Sequence, residues 1–151
     1  LLILDHGEIL DHGDTKEIFA HPTTKASARL TGCKNFSAVR VLDAHTLEAL
    51  SWGVTLHVER TLTEDIHYLG YRAHQFEPIW GAREENCIAF RLASKAELPF
   101  ERNYYVKPET EHYDRDDLLT WLVQRACWET LDEKGLPDYL KLHERDMLFL
   151  K

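Results

Sequence analysis

The chain has 151 residues, 44% of them hydrophobic and 29% charged, with a formal net charge of −8. That length suffices for one sizeable core with a small appendage, and the composition is that of an ordinary globular domain. The acidic balance argues against nucleic acid as a partner: phosphate binding needs a basic face, and the basic clusters at 34–40 and 83–91 are short and interrupted.

No apolar run approaches the roughly 20 residues that span a bilayer, and no signal-peptide pattern stands out, so a soluble chain is expected. The first residue is Leu1 and the only methionine is Met147, so the sequence reads as a piece of a longer protein. Cys33, Cys87 and Cys127 are odd in number, widely spaced and fit no zinc pattern. They read as reduced cytoplasmic thiols, packed as small buried side chains.

Taken in order, the apolar runs 1–4 and 9–10 flank His6-Gly7, with a second His-Gly at His12-Gly13, which predicts a hairpin with glycine where positive φ is needed. A short helix follows over 14–19, capped by Asp14 or Thr15 and closed by Pro22. A second short helix is predicted within 23–30, with Thr23 or Thr24 as cap and Gly32 just past its end. The character then changes to alternation: 36–42 reads as a strand, 43–46 as a turn and 47–50 as the return. Residues 52–58 alternate again, with Trp52, Val54, Leu56 and Val58 on one face. Further strands are expected at 67–74, 86–94 and 100–106. The stretch 116–134 fits a helix or a strand. A strand to about Gln124 followed by a helix over 125–133 is favoured. Residues 139–142 and 147–150 read as terminal strands. Many short strands between polar turns predict a small sandwich or barrel.

Nine histidines and the doubled Asp5-His6-Gly7 and Asp11-His12-Gly13 invite a metal reading, but each triplet sits where a turn is needed. His67 and His74 are seven apart, so one strand would point them to opposite faces. No phosphate-cradling glycine loop and no nucleophile elbow occurs, and catalysis by this segment itself is not expected. Two segments stand out. Around Gly32, successive backbone N–H groups with Thr31, Lys34 and Asn35 could form an anion-binding nest, or Gly32 could simply end the helix. At Tyr71-Arg72-Ala73-His74, Arg72 and His74 would project from one strand face, as ligand contacts or as a structural arginine paired with a carboxylate.

These segments carry a resemblance. The run 1–22 resembles the end of the nucleotide-binding domain of ABC-transporter ATPases. The series Leu30-Thr31-Gly32-Cys33-Lys34-Asn35, then Leu69-Gly70-Tyr71-Arg72-Ala73-His74, then Leu98-Pro99-Phe100-Glu101 resembles the C-terminal regulatory domain of ABC import ATPases, nearest the molybdate and tungstate importers. Lys34 and Gly32 depart from the arginine and serine of the small molybdate-binding domains. The resemblance implies a mainly β chain: an OB-like (TOBE/MOP-type) antiparallel barrel at 32–151 behind a hairpin–helix remnant of the ATPase domain at 1–31. It implies Thr31, Lys34, Asn35, Arg72 and His74 as oxyanion contacts, with no metal and no cofactor of the segment's own. ATP and magnesium would belong to the parent protein, as would a homodimer through ATPase and regulatory domains. Membrane permease subunits would be its partners, at the inner face of the cell membrane. The function the resemblance implies first is a regulatory domain that senses cytoplasmic molybdate or tungstate and controls ATP-driven uptake. The rival expectations are a dimerisation or partner-docking scaffold without a ligand, as in sugar, polyamine or iron importers, and a metal-dependent enzyme with converging histidines.

Overall fold

The computed structural model describes residues 2–5, 7–109 and 118–151. Strands β1 (Leu2–Asp5) and β2 (Glu8–His12) form an antiparallel hairpin that turns at Gly7, whose φ of 79° lies in the left-handed region glycine tolerates. Helix α1 (Thr15–Ala20) follows, with Asp14 at its N-cap position but no side-chain cap bond. Helix α2 (Lys25–Leu30) opens on a capping box. Thr24 Oγ1 accepts from the Ser27 N–H at 3.1 Å, and Ser27 Oγ accepts from the Thr24 N–H at 3.2 Å.

Six residues do not hold a helix in water, so α2 depends on what it packs against. Ala28 buries against Cys33, Leu148 and Leu150. The Lys25 ammonium lies 4.8 Å from the Tyr68 ring centroid, and the Arg29 guanidinium 5.6 Å from that of Phe36. The Lys151 N–H closes the arrangement by donating to the Thr23 carbonyl at 3.0 Å.

The rest is mainly β. In chain order come β3 (Asn35–Asp43), β4 (Thr46–Ala49), β5 (Val54–His57), β6 (Tyr68–Tyr71), β7 (Glu77–Ile79), β8 (Cys87–Glu97), β9 (Arg102–Pro108), β10 (Leu119–Leu122), helix α3 (Trp128–Lys134), β11 (Tyr139–Lys141) and β12 (Leu148–Leu150). They form two antiparallel five-stranded sheets, ordered β12-β6-β3-β4-β5 and β10-β9-β8-β11-β7. The alternation in 52–58 is realised: Trp52, Val54, Leu56 and Val58 are buried, while Thr55 and His57 are exposed. They meet Leu47, Leu69, Ile88, Val106, Trp121 and Leu140 in one core fed by both sheets. Among the described residues no helix is long and apolar enough to cross a membrane.

The strand expected at 67–74 stops at Tyr71. The Gln75 N–H donates to the Arg72 carbonyl at 3.1 Å, closing a turn, and the Tyr71 hydroxyl donates to the Gln75 carbonyl at 3.0 Å. The third strand of this group begins at Arg102, not at 100, because Pro99 and Phe100 form the two-residue tip of the β8–β9 hairpin. Strand β7 was not expected. It is three residues long and centred on Pro78, which its place at a sheet edge tolerates. The divided reading of 116–134 resolves as strand β10, a single 3-10 turn at Arg125–Cys127, and α3; residues 116 and 117 lie outside the described ones.

Gly70 has a packing reason to be glycine. A Cβ there would stand 3.1 Å from Cys33 Sγ and 3.3 Å from Leu150 Cδ1. Gly70→Ala is expected to cost about 2 kcal/mol of unfolding free energy, partly recovered by adding Cys33→Ala; urea unfolding of the two singles and the double checks the coupling.

Burial raises the Tyr71 phenol well above its ordinary range. It pushes Tyr104 up to about 12, helped by the hydrogen bond to Glu97. A raised folded-state pKa gives stability that is complete below the unfolded value near 10. That stability is lost as pH rises through the folded value. The urea midpoint is therefore expected to hold to about pH 10 and fall between there and about 12, with Tyr104→Phe flattening part of the fall. A midpoint unchanged by pH 12 contradicts this.

Candidate functional site

The predicted oxyanion residues lie where α2 runs into β3. Helix α2 ends at Thr31, and Gly32 takes φ 99°. The Gly32 N–H donates to the Arg29 carbonyl at 3.1 Å, and the Cys33 N–H to the Ala28 carbonyl at 3.0 Å. That pair of bonds is the Schellman arrangement, which satisfies the last carbonyls of a helix. The Thr31 N–H also donates to the Ser27 carbonyl, at 3.0 Å. The Thr31, Gly32 and Cys33 amides of the predicted anion nest are therefore engaged by the helix they follow.

Asn35 is 3% exposed, and its amide faces inward. Nδ2 donates to the Thr120 carbonyl at 2.9 Å, and Oδ1 accepts from the Thr120 N–H at 2.8 Å. One side chain thus pairs with the edge of β10 as a neighbouring strand would. Beside it the Leu122 N–H donates to the Ala73 carbonyl at 2.9 Å, so the two sheets are sewn together along this seam. A second asparagine, Asn86, does the same elsewhere. At φ 58° its Oδ1 accepts from the His57 N–H at 2.8 Å, and its Nδ2 donates to the His57 carbonyl at 2.9 Å, on the edge of β5.

Thr31 and Arg72 do meet: Arg72 Nη2 donates to Thr31 Oγ1 at 3.4 Å, while that hydroxyl points to the Ser27 and Ala28 carbonyls at 2.9 and 3.0 Å. Burial raises the Cys33 thiol, and the nearby Arg72 charge works in the opposite direction. Lys34 and His74 are exposed. Arg72 and His74 are carried by a turn and not by one strand face, because the Ala73 carbonyl is drawn to β10 and Gln124 Nε2 donates to the His74 carbonyl at 2.7 Å. The structure therefore joins Thr31 with Arg72 and gives Asn35 to the seam. The small cavity beside Asn35, about 160 Å³, is lined by Phe36, Ser51, Trp52, Leu118 and Leu119 and holds no cationic side chain.

A wider cleft of about 430 Å³ is lined by His45, Thr46, His57, Val58, Glu59, Glu85, Asn86 and Glu144. Its three carboxylates give it the wrong sign for an anion. His45 Nδ1 lies 3.1 Å from the Arg60 carbonyl and His57 Nδ1 lies 3.3 Å from Thr46 Oγ1. Among the described residues no group of three or more His, Cys, Asp or Glu is arranged to hold a metal ion. The paired Asp-His-Gly reading falls on side chains outside the described ones. A third concavity, about 260 Å³, carries His21, Arg60 and Lys151, a basic set drawn from three distant parts of the chain. Lys151 pairs with Asp65 at 3.2 Å, and the Arg60 guanidinium stacks 4.3 Å from the Phe149 ring.

No protein-family model matches the chain, and no curated protein matches it. What the described geometry defines is a mainly β protein whose two antiparallel sheets are closed on each other by asparagine side chains.

Proposed function

We propose that the chain is the C-terminal accessory domain of an ABC-type import ATPase and that it acts through protein contacts, as an OB-like (TOBE-type) module docking to a second copy or to other subunits. The observation that carries the contact reading is the engagement of the Thr31, Gly32 and Cys33 N–H groups, and of the Asn35 side-chain amide, within the chain itself. An anion bound there would have to break these bonds, and each buried group left unpaired costs about 1–3 kcal/mol. The link to transport rests on the resemblance. It implies a hairpin–helix remnant and then a barrel, and the observed order of hairpin, two short helices and β body supports that reading.

The test is made on the complete polypeptide that contains this chain. The reading expects it to hydrolyse ATP, and expects removal of 32–151 to leave hydrolysis in place while weakening dimerisation. A full-length protein without ATPase activity contradicts the transporter assignment.

A second reading is favoured by the Arg72–Thr31 contact, which unites the two segments of the resemblance. In it, molybdate or tungstate is held between two copies by Arg72 with the exposed Lys34 and His74, and binding favours the separated ATPase domains. Such control requires higher affinity for one arrangement than for the other. Tungstate-dependent dimerisation that Lys34→Ala abolishes would establish it over the first.

A further inference from the structure

The β8–β9 hairpin ends on a tip whose main-chain bonds fix which way β8 presents its polar groups. Leu98 and Glu101 exchange bonds, the Leu98 N–H donating to the Glu101 carbonyl at 2.7 Å and the Glu101 N–H to the Leu98 carbonyl at 3.4 Å. In an antiparallel ladder such pairs alternate with pairs that exchange none. Glu97, opposite Arg102, and Lys95, opposite Tyr104, are therefore the residues whose N–H and C=O groups point away from β9. On that outer side β11 covers β8 only from Cys87 to Ala89. Among the described residues no strand pairs with the outer edge beyond it, and residues 93–95 and 97–101 are exposed.

The side chains on this edge are ordered. Lys95 and Glu97 are two apart beyond the bulge between Leu92 and Ser94 and so share one face, with Lys95 Nζ 3.4 Å from Glu97 Oε1. Tyr104 Oη donates to the same Glu97 oxygen at 2.9 Å and holds it in place. Ala96 points to the other face. Leu98 is 56% and Phe100 83% exposed at the tip, an apolar end with nothing described against it.

We propose that this edge pairs with the same edge of a second copy of the chain, antiparallel and two-fold symmetric about Ala96. In that register Lys95 of each copy stands opposite Glu97 of the other. These are the residues whose main-chain groups face outward, so both pairs can exchange their two backbone hydrogen bonds. Their side chains fall on one face, with opposite charges directly across, twice. The two Ala96 residues meet in the closer, non-bonded pairing, where a small side chain fits. Leu98 comes alongside Ser94 of the second copy. Shifting the axis by one residue to Lys95 would oppose lysine to lysine. Charge therefore selects the register: each Glu97, already beside Lys95 of its own chain, gains the second copy's Lys95 directly across the strands. The inference deepens the contact reading above by naming the partner. It rests on that reading only for its purpose in the cell.

The experiment uses the whole chain. In a Cys127→Ser background, with Cys33 and Cys87 buried, Ala96→Cys is oxidised mildly and compared with Thr55→Cys on an exposed strand position. A cross-strand pair of this kind is within disulfide reach. Efficient covalent dimer from Ala96→Cys alone is the expected result, and no more dimer than the control overturns the proposal. In sedimentation equilibrium, K95E and E97K are each expected to weaken self-association about tenfold, with the double swap K95E/E97K restoring it. Self-association indifferent to all three, or a double variant as weak as the singles, places the contact elsewhere and also overturns it. Either failure leaves the ATPase test of the complete polypeptide untouched, and loss of that activity would leave this pairing standing.

Discussion

Replacing Asn35 with alanine is expected to lower the unfolding free energy by about 3 kcal/mol. The residue is buried and contributes two hydrogen bonds of 2.8 and 2.9 Å to one backbone unit, Thr120. Truncation leaves the Thr120 N–H and carbonyl without partners at the seam where β10 meets the first sheet, and unpaired buried groups cost more than a made bond gains. Asn35→Asp removes the donor and sets a charged oxygen against the Thr120 carbonyl. Its folded-state pKa is expected to rise, so this variant regains stability as pH falls and the carboxyl takes up a proton that can donate. Urea unfolding at pH 7 and pH 4.5 measures both, with amide exchange at Thr120 as the local probe. A loss below about 1 kcal/mol with Thr120 exchange unchanged would mean the seam is held by other contacts.

Trp121→Ala is expected to cost about 4 kcal/mol. The indole is 1% exposed, edge-on to Tyr104 with ring centroids 5.5 Å apart and to Phe90 at 6.3 Å. These contacts tie β8, β9 and β10 on the core side, where, among the described residues, β10 has only β9 as a strand neighbour. Removing it leaves a cavity as well as losing transfer energy, and folded domains have only about 5–15 kcal/mol in total. Trp121→Phe, which keeps one aromatic edge contact, is expected to cost less than half as much. Thermal and urea unfolding check the order. A Trp121→Ala cost no greater than that of an exposed position such as Thr55 would contradict the packing described.

The parts of the fold that were legible in the sequence are those set by neighbours along the chain. Thr23 or Thr24 marks the start of α2, the structure choosing Thr24, and Gly32 marks its end. The alternation from Trp52 to Val58 gives a strand and its buried face directly. Gln124 proved a sound place to divide strand from helix because Trp121 and Val123 alternate while Trp128 and Leu131 have helical spacing. Arg72 to Gln75 contains neither glycine nor proline, so nothing local betrays that turn. Its cause is the reach of the Ala73 carbonyl to Leu122, remote in sequence. Pro99 was a local turn signal, outweighed by the aromatic Phe100 beside it.

The candidate site illustrates the same division. The glycine that suggests an anion nest is the glycine that a Schellman ending needs, and local sequence cannot separate the two. The difference lies in whether the amides at Gly32 and Cys33 are already bonded, which requires the helix to be in place. Asn35 is expected from the sequence as an oxyanion contact, whereas its amide is bonded to Thr120, 85 positions away. Asn86 escaped notice because its task, at positive φ beside the edge of β5, is likewise invisible until the sheets are assembled.

The central claim is that this domain works by contact, with the Thr31, Gly32 and Cys33 amides of the α2–β3 junction committed to its own chain. Calorimetric titration of the chain with tungstate tests that most directly, with Lys34→Ala as the comparison. We expect no saturable heat up to millimolar anion and no change in the unfolding midpoint. Saturable heat at micromolar tungstate that Lys34→Ala abolishes would contradict the claim and return the domain to oxyanion sensing.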